Sequence, residues 1–277
     1  MTSDLVIEVQ LLGGHRLQIE LPSDSPHLAE LREIRDGAAG TPRLVQLPLT
    51  DGRAAFSFLS TSLVEVEIVA PEEGSTHPRT LVVEGHLGGY IQSGPEPGQE
   101  YGDFETWSPE LWQWAVSRLG VRSVLDVGCG EGHAAAFFAT LGCRVLGVDG
   151  SLQAFEASQI PDHHVVHDFT RGAWSPPRSF DMVWSCEFVE HVEERHCDNF
   201  LTSFAAADRY LLMTHATPGQ LGWHHVNCRQ SRYWIDRIER LGFWFNEELT
   251  EEARELAGEG HFRRSGLVFA RQPEGAP

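Results

Sequence analysis

Val124-Leu125-Asp126-Val127-Gly128-Cys129-Gly130-Glu131-Gly132 is the stretch that decides the fold. A short apolar run enters a turn with three glycines at alternate positions, and the Ala-rich run His133–Leu141 behind it predicts a helix. Strand, glycine turn and helix form the repeating unit of an open α/β sheet, whose ligands bind at the carboxyl ends of the strands. Glycine suits such a turn because a side chain would hold the backbone away from a ligand and because the turn calls for positive φ. The spacing here is G-x-G-x-G, and His133 stands where the dinucleotide-binding fingerprint carries Gly or Ala, so the pyrophosphate-binding version of the motif fits poorly.

Outward from this turn, buried-looking strands are expected near Ser123–Val127, Arg144–Val148, His164–Val166, Phe180–Trp184, Arg209–Thr214, Gly242–Phe245 and Leu267–Arg271, separated mostly by helical stretches. That alternation predicts a Rossmann-like α/β sheet of seven strands. Gly242–Phe245 and Leu267–Arg271 would close it as an antiparallel pair, with the acidic helix Leu249–Leu256 between them.

The first seventy residues read differently. Leu5, Ile7, Val9 and Leu11 alternate with more polar neighbours, Gly13-Gly14 turns the chain, and Leu17, Ile19 and Leu21 resume the period of two. Ser25-Pro26 starts a helix that keeps Leu28, Leu31 and Ile34 on one face until Gly37. A second hairpin turns at Asp51-Gly52, and Leu63–Val69 adds a strand. His15 and His27 read as surface residues. Residues 71–78 are a linker by composition and 94–98 a further Pro/Gly loop, so the chain divides into a small β-rich α+β module, 1–75, and a larger domain, 76–277. The module's role is expected to be docking, dimerisation or covering of substrate, which leaves a homodimer open.

Composition excludes several classes of partner. With 21 Lys+Arg against 40 Asp+Glu the net charge is -19, which repels a phosphate backbone and argues against nucleic acid. No apolar stretch is long enough for a membrane helix, and Met1-Thr2-Ser3-Asp4 does not open a signal peptide. Cys129, Cys143, Cys186, Cys197 and Cys228 are scattered and odd in number, the pattern of free thiols in a reducing compartment. The expectation is a soluble, cytoplasmic protein acting on a small molecule.

The run D-V-G-C-G-E-G after a strand resembles the first motif of class I S-adenosylmethionine-dependent methyltransferases, and the resemblance extends over roughly residues 100–271. It implies that S-adenosylmethionine is the cofactor. Gly128 and Gly130 would admit its methionine part, and Asp126 would orient the loop or meet the cofactor ammonium. Asp149, at the end of the next strand, can accept hydrogen bonds from both ribose hydroxyls. Asp168 resembles the acid that takes the adenine amino group, and Phe169 or Leu152 would cover the adenine. Gly88-Gly89-Tyr90 and Phe104–Trp107 resemble the segment that folds over cofactor and substrate in this superfamily.

After the fourth strand comes Glu187-Phe188-Val189-Glu190-His191. In a helix, positions i, i+3 and i+4 share a face, so Glu187, Glu190 and His191 would converge on one divalent cation, Mg, Mn or Zn. E-x-x-E-H at this position resembles two groups, the 2'-O-methyltransferases of small RNA 3' ends and the O-methyltransferases of ubiquinone biosynthesis. In those families it is implicated in metal binding, with a further histidine downstream in the RNA enzymes. Here Trp223-His224-His225 and His215 stand in the corresponding region, and His191, His215 and His225 are the candidate acid/base residues. A cation on the acceptor would lower the pKa of a hydroxyl, so methylation of a small-molecule oxygen is expected, on a sugar or a specialised metabolite. The alternatives are an RNA 2'-O-methyltransferase, a small-molecule N-methyltransferase that needs no dication, and a noncatalytic module that binds the cofactor.

Overall fold

The computed structural model describes residues 4–11, 16–22, 25–35, 44–48, 55–59, 63–69, 81–82, 87–94, 99–220, 222 and 224–271. The expected turns at Gly13-Gly14, Gly37 and Asp51-Gly52, the linker 71–78, most of the loop 94–98, His15 and Trp223 lie outside them. The chain divides into two compact units, Met1–Thr80 with Leu221–His224, and Leu81–Gln220 with His225–Pro277.

The first unit runs β1 (Asp4–Leu11), β2 (Arg16–Pro22), α1 (Pro26–Arg35), β3 (Leu44–Pro48), β4 (Ala55–Leu59) and β5 (Leu63–Val69). β1 is central in an antiparallel sheet of order β2-β1-β5, and β3 pairs with β4 as a separate hairpin. Ile7 and Val9 are both buried, as two residues of one pleat face must be, and Leu28 and Leu31 are buried at helical spacing on α1. Ser25 caps α1, its carbonyl accepting from Leu28 N at 3.1 Å, and His27 is half-buried.

The second unit opens with the antiparallel pair β6 (Leu81–Val82) and β7 (Tyr90–Ile91), then a 3-10 turn, Phe104–Thr106, and α2 (Pro109–Ser117). There follow β8 (Ser123–Val127), α3 (His133–Thr140), β9 (Arg144–Asp149), α4 (Leu152–Glu156), β10 (His164–Val166), β11 (Phe180–Ser185), α5 (Cys197–Phe204), β12 (Ala207–Met213), α6 (Ser231–Glu239), β13 (Phe243–Phe245), α7 (Glu247–Leu256), α8 (His261–Ser265) and β14 (Leu267–Arg271). The strands form one seven-stranded sheet of order β10-β9-β8-β11-β12-β14-β13. The first five run parallel and β14 is antiparallel to both of its neighbours. This is the Rossmann-like sheet and closing pair that the apolar pattern predicts.

All five residues of β8 are buried, because helices cover both faces of a parallel sheet. One face packs Trp112, Phe138 and Phe262 from α2, α3 and α8; the other packs Phe200, Phe204 and Trp234 from α5 and α6. Side-chain caps fix helix starts beside the sheet: Ser151 Oγ accepts from Ala154 N at 3.0 Å, and Asn246 Oδ1 from Leu249 N at 2.9 Å. The strand order reverses between β8 and β11, so the crevice at their carboxyl ends is the topological switch point where such sheets bind ligands.

Two local readings are corrected. Glu187–His191 is not an α-helix: Glu187 has φ 51°, outside the right-handed helical region, and only Val189–His191 coil, as a 3-10 turn. The short helix α8, for which the sequence carries no periodic signal, lies between α7 and β14.

Candidate active site

β8 ends in the glycine turn, and the amides of Gly128 and Cys129 both donate to the Val148 carbonyl on β9, at 2.9 and 3.2 Å. Gly128 has φ +75°, and a Cβ there would overlap the Phe188 ring. Gly130 has φ +52°, and a Cβ on it would meet nothing nearer than Tyr90 Cβ at 4.0 Å, so the turn leaves a cradle at this point. Asp149 ties the turn to the next strand, with Oδ2 accepting from Gly130 N at 2.8 Å and Oδ1 from Ser151 N at 2.9 Å. Asp126 is buried behind the turn. Burial, reinforced by the Asp149 charge, pushes its acid up to about 8.

Glu131, buried in the same turn, accepts from Ser93 N at 3.2 Å and from the Ser93 hydroxyl, and lies 3.1 Å from His133 Nε2. Burial alone would raise its acid, but the bonds from His133 and Ser93 outweigh that and lower it. The segment 87–93 thus spans the site. Leu87 packs 3.2 Å from the Cβ position of Gly150, Tyr90 faces Gly130, and a Cβ on Gly88 would stand 3.0 Å from His191 Nδ1.

Of the two adenine-covering candidates, Phe169 is only 4% exposed, its ring held among Phe188, Phe200 and His167, and its carbonyl accepts from Asn199 Nδ2 at 2.6 Å. Its ring is packed against the core on the side of Phe188 and Phe200. Leu152, at the start of α4, is 55% exposed. Asp168 Oδ1 accepts from the amide and hydroxyl of Thr170 at 2.8 and 2.7 Å, a local turn.

The carboxylates follow β11, next to the glycine turn, and Ser185 Oγ donates to the Val127 carbonyl at 2.9 Å across the two strands. The Thr214 hydroxyl fixes Glu187 twice, accepting from its amide at 2.7 Å and donating to Oε1 at 2.9 Å. The Glu190 carbonyl accepts from Val226 N and Asn227 N at 2.9 and 3.1 Å, while Asn227 Nδ2 donates to Val192 O at 3.1 Å. These bonds lay the loop 225–227 against the 3-10 turn, and the result is a group of Glu187, Glu190 and His225 whose ligand atoms lie within 4.8 Å of one another.

Glu190 is 0% exposed, and neither of its carboxylate oxygens meets a hydrogen-bond donor among the described residues. Burial first, and the Glu187 charge next, push its acid well up. A buried acceptor-only group in such a place calls for a proton or a cation. The donor set, two carboxylates and an imidazole, fits a divalent ion.

The other histidines divide. His191 stands edge-on to His225, ring centroids 5.1 Å apart, beside the group of three. His215 is fully buried with Nε2 3.0 Å from the Ser231 hydroxyl and Nδ1 3.3 Å from the Ala216 carbonyl. Both its nitrogens are engaged, and burial lowers its pKa. Sequence spacing does not reveal Thr214, Asn227, or a second group, Asp103, Glu105 and His261, whose ligand atoms also lie within 4.8 Å of one another. His261 Nε2 is 3.0 Å from Asp103 Oδ2 and 3.6 Å from Glu105 Oε2; Nδ1 is 3.3 Å from Glu187 Oε2. Burial would lower the His261 pKa, but the Asp103 hydrogen bond and the charges of Glu187, Asp103 and Glu105 raise it.

A family model described as a methyltransferase domain matches residues 103–256. The ubiquinone biosynthesis O-methyltransferase of Thiobacillus denitrificans is 31% identical over 109 residues, 36% of this chain and 47% of that protein. The protein of the same description from Bradyrhizobium diazoefficiens is 37% identical over 83 residues, 28% of this chain and 33% of its own. The chain thus spans less than half the length of these curated relatives. Among solved structures, the magnesium protoporphyrin IX methyltransferase of Synechocystis PCC 6803 with bound S-adenosylmethionine aligns with TM-score 0.43 and 16% identity, covering 58% of this chain and 76% of that one. Because the methyltransferase-domain model takes in more than half of the sequence, the chain belongs to that family, and its seven-stranded sheet is that of the class I S-adenosylmethionine-dependent methyltransferases.

Proposed function

We propose that the protein transfers the methyl group of S-adenosylmethionine to a hydroxyl oxygen of a small molecule, with Glu187, Glu190 and His225 holding a divalent cation beside the acceptor. The observation that carries this reading is Glu190, buried without a donor among the described residues and grouped with a second carboxylate and an imidazole at the switch point of the sheet. S-adenosylmethionine supplies an electrophilic methyl on sulfonium, and a bound dication lowers the pKa of a hydroxyl placed on it.

The chain's own residues supply the rest. Asp149 offers its carboxylate to the ribose hydroxyls, Leu152 gives the adenine an apolar surface, Asp126 meets the ammonium, and the cradle at Gly130 leaves room for the methionine part. Asp168 stands beyond β10 for the adenine amino group. The segment 87–93 covers the turn and keeps water from the reacting atoms. His191, beside the cation ligands, takes the proton as the acceptor oxygen bonds to the methyl carbon and the carbon–sulfur bond breaks, because an imidazole ordinarily titrates near neutrality. The charge of -19 supports a small-molecule acceptor over RNA. Among the described residues no helix is long and apolar enough to cross a membrane.

The test is transfer of labelled methyl from S-adenosylmethionine to a panel of small phenols, sugars and hydroxy acids, with chelated protein and after return of Mg2+ or Mn2+. Dication-dependent O-methylation, lost in Glu190→Ala, is the expected result. Transfer that survives chelation, or that goes to nitrogen, overturns the cation-assisted reading, and salt-sensitive transfer to RNA overturns the small-molecule one.

A further inference from the structure

Glu187 enters the carboxylate group with a left-handed backbone, which a β-carbon makes unfavourable. Something must hold it there. Thr214 fixes Oε1 and the amide; on the other side, 3.3 Å from Oε2, stands His261 Nδ1. Arg264 Nη2 lies 2.8 Å from the same nitrogen, and its Nη1 is 3.2 Å from Glu105 Oε1.

His261 is itself held from three directions. Asp103 Oδ2 takes Nε2 at 3.0 Å, while Asp103 Oδ1 caps the 3-10 turn by accepting from Glu105 N at 3.1 Å. The neighbouring Phe262 is fully buried and stacks on Trp184 of β11, centroids 5.3 Å apart at 15°. That same strand delivers Glu187, so histidine and carboxylate are registered on one rigid element. Gly260 presses its backbone on the Glu105 carbonyl, so closely that a Cβ would overlap it.

We propose that His261, seated on Asp103, is the positioning residue of the cation site: it holds the Glu187 carboxylate in the orientation that lets Glu187, Glu190 and His225 close on one ion. The inference rests on the cation reading above. Polar partners that orient a ligating carboxylate act in this way, and losing one weakens metal binding by roughly 10–100-fold.

The test is titration of the full chain with Mn2+, followed by electron paramagnetic resonance, on the wild type, His261→Ala, His261→Gln, Asp103→Asn and Glu190→Gln. Calorimetric binding of S-adenosylhomocysteine to each protein reports an intact fold and cofactor pocket. The expected result is one Mn2+ per wild-type chain. His261→Ala weakens it roughly tenfold or more with S-adenosylhomocysteine affinity within about twofold of wild type, Asp103→Asn follows in the same direction, and His261→Gln, whose amide can stand between Asp103 and Glu187, recovers part of the loss. If His261→Ala binds Mn2+ as well as or better than wild type while Glu190→Gln abolishes it, the positioning role is overturned and the cation reading stands. Two ions per chain, one lost with His261, would also overturn it in favour of a second ligand set. A wild-type chain that takes up no Mn2+ sinks both. Should His261→Ala lose S-adenosylhomocysteine binding as well, His261→Gln and Asp103→Asn decide: unchanged Mn2+ affinity in both overturns the inference.

Discussion

The ring of Phe188 occupies the space that a Cβ on Gly128 would need, so the glycine turn and the carboxylate loop are fitted to each other through a missing side chain. Gly128→Ala meets both this overlap and a φ of +75°. It is expected to cost about 2–4 kcal/mol, combining left-handed strain with overpacking, and to weaken S-adenosylhomocysteine binding. Thermal unfolding and calorimetry on the same preparation check this; a variant that unfolds and binds like wild type would show that the turn tolerates a shift of Phe188.

Asp149 joins the turn to β9 by accepting from two amides. Hydrogen bonds to a charged group are worth about 1.5–3 kcal/mol, so Asp149→Ala loosens the turn even before any ribose contact is lost. S-adenosylhomocysteine affinity should fall about 10–100-fold, and Asp149→Asn, which keeps one acceptor oxygen, should fall less. Equal affinities for Asp149→Ala and wild type would remove this carboxylate from the cofactor site.

Leu152 and Phe169 separate by the kind of loss they produce. Exposed Leu152 changed to Asp should lower S-adenosylhomocysteine affinity roughly tenfold with little change in stability, as surface substitutions generally have. Buried Phe169 changed to Ala should destabilise the fold by about 3–5 kcal/mol. Binding that fails in the Phe169 variant alone, in protein that remains folded, would assign the adenine contact to Phe169.

The sheet is legible because its strands are local and continuous: the run Val124–Val127 and its glycine turn identify β8, and the antiparallel closing pair follows from two late apolar runs around an acidic helix. Helical spacing groups Glu187 and Glu190 with His191, and only the resemblance points to His225, whereas the structure brings Glu187, Glu190 and His225 together through the left-handed Glu187, the Thr214 hydroxyl and Asn227 pinning a distant loop. Those bonds join residues separated by 27 to 35 positions, and no periodicity encodes them. His261 is more remote still from Asp103, 158 positions along the chain, so their pairing emerges only when α8 is stacked on β11.

The acid of Asp126 fixes the sign of a pH dependence. Its pKa rises from 3.8 to about 8 on folding, first through burial and then through the Asp149 charge, so between these values the folded chain binds more protons than the unfolded one. Stability is therefore full below pH 3.8, falls as pH rises, and has lost this contribution above about 8. Glu190, also raised by burial and by Glu187, acts in the same direction. Asp126→Asn removes the first group without removing the second. The midpoint of thermal unfolding should thus decline from pH 6 to pH 9 more steeply in wild type than in Asp126→Asn, with the curves diverging towards the alkaline side. Parallel curves would mean that Asp126 stays ionised in the folded protein, its charge met by a partner outside the described residues.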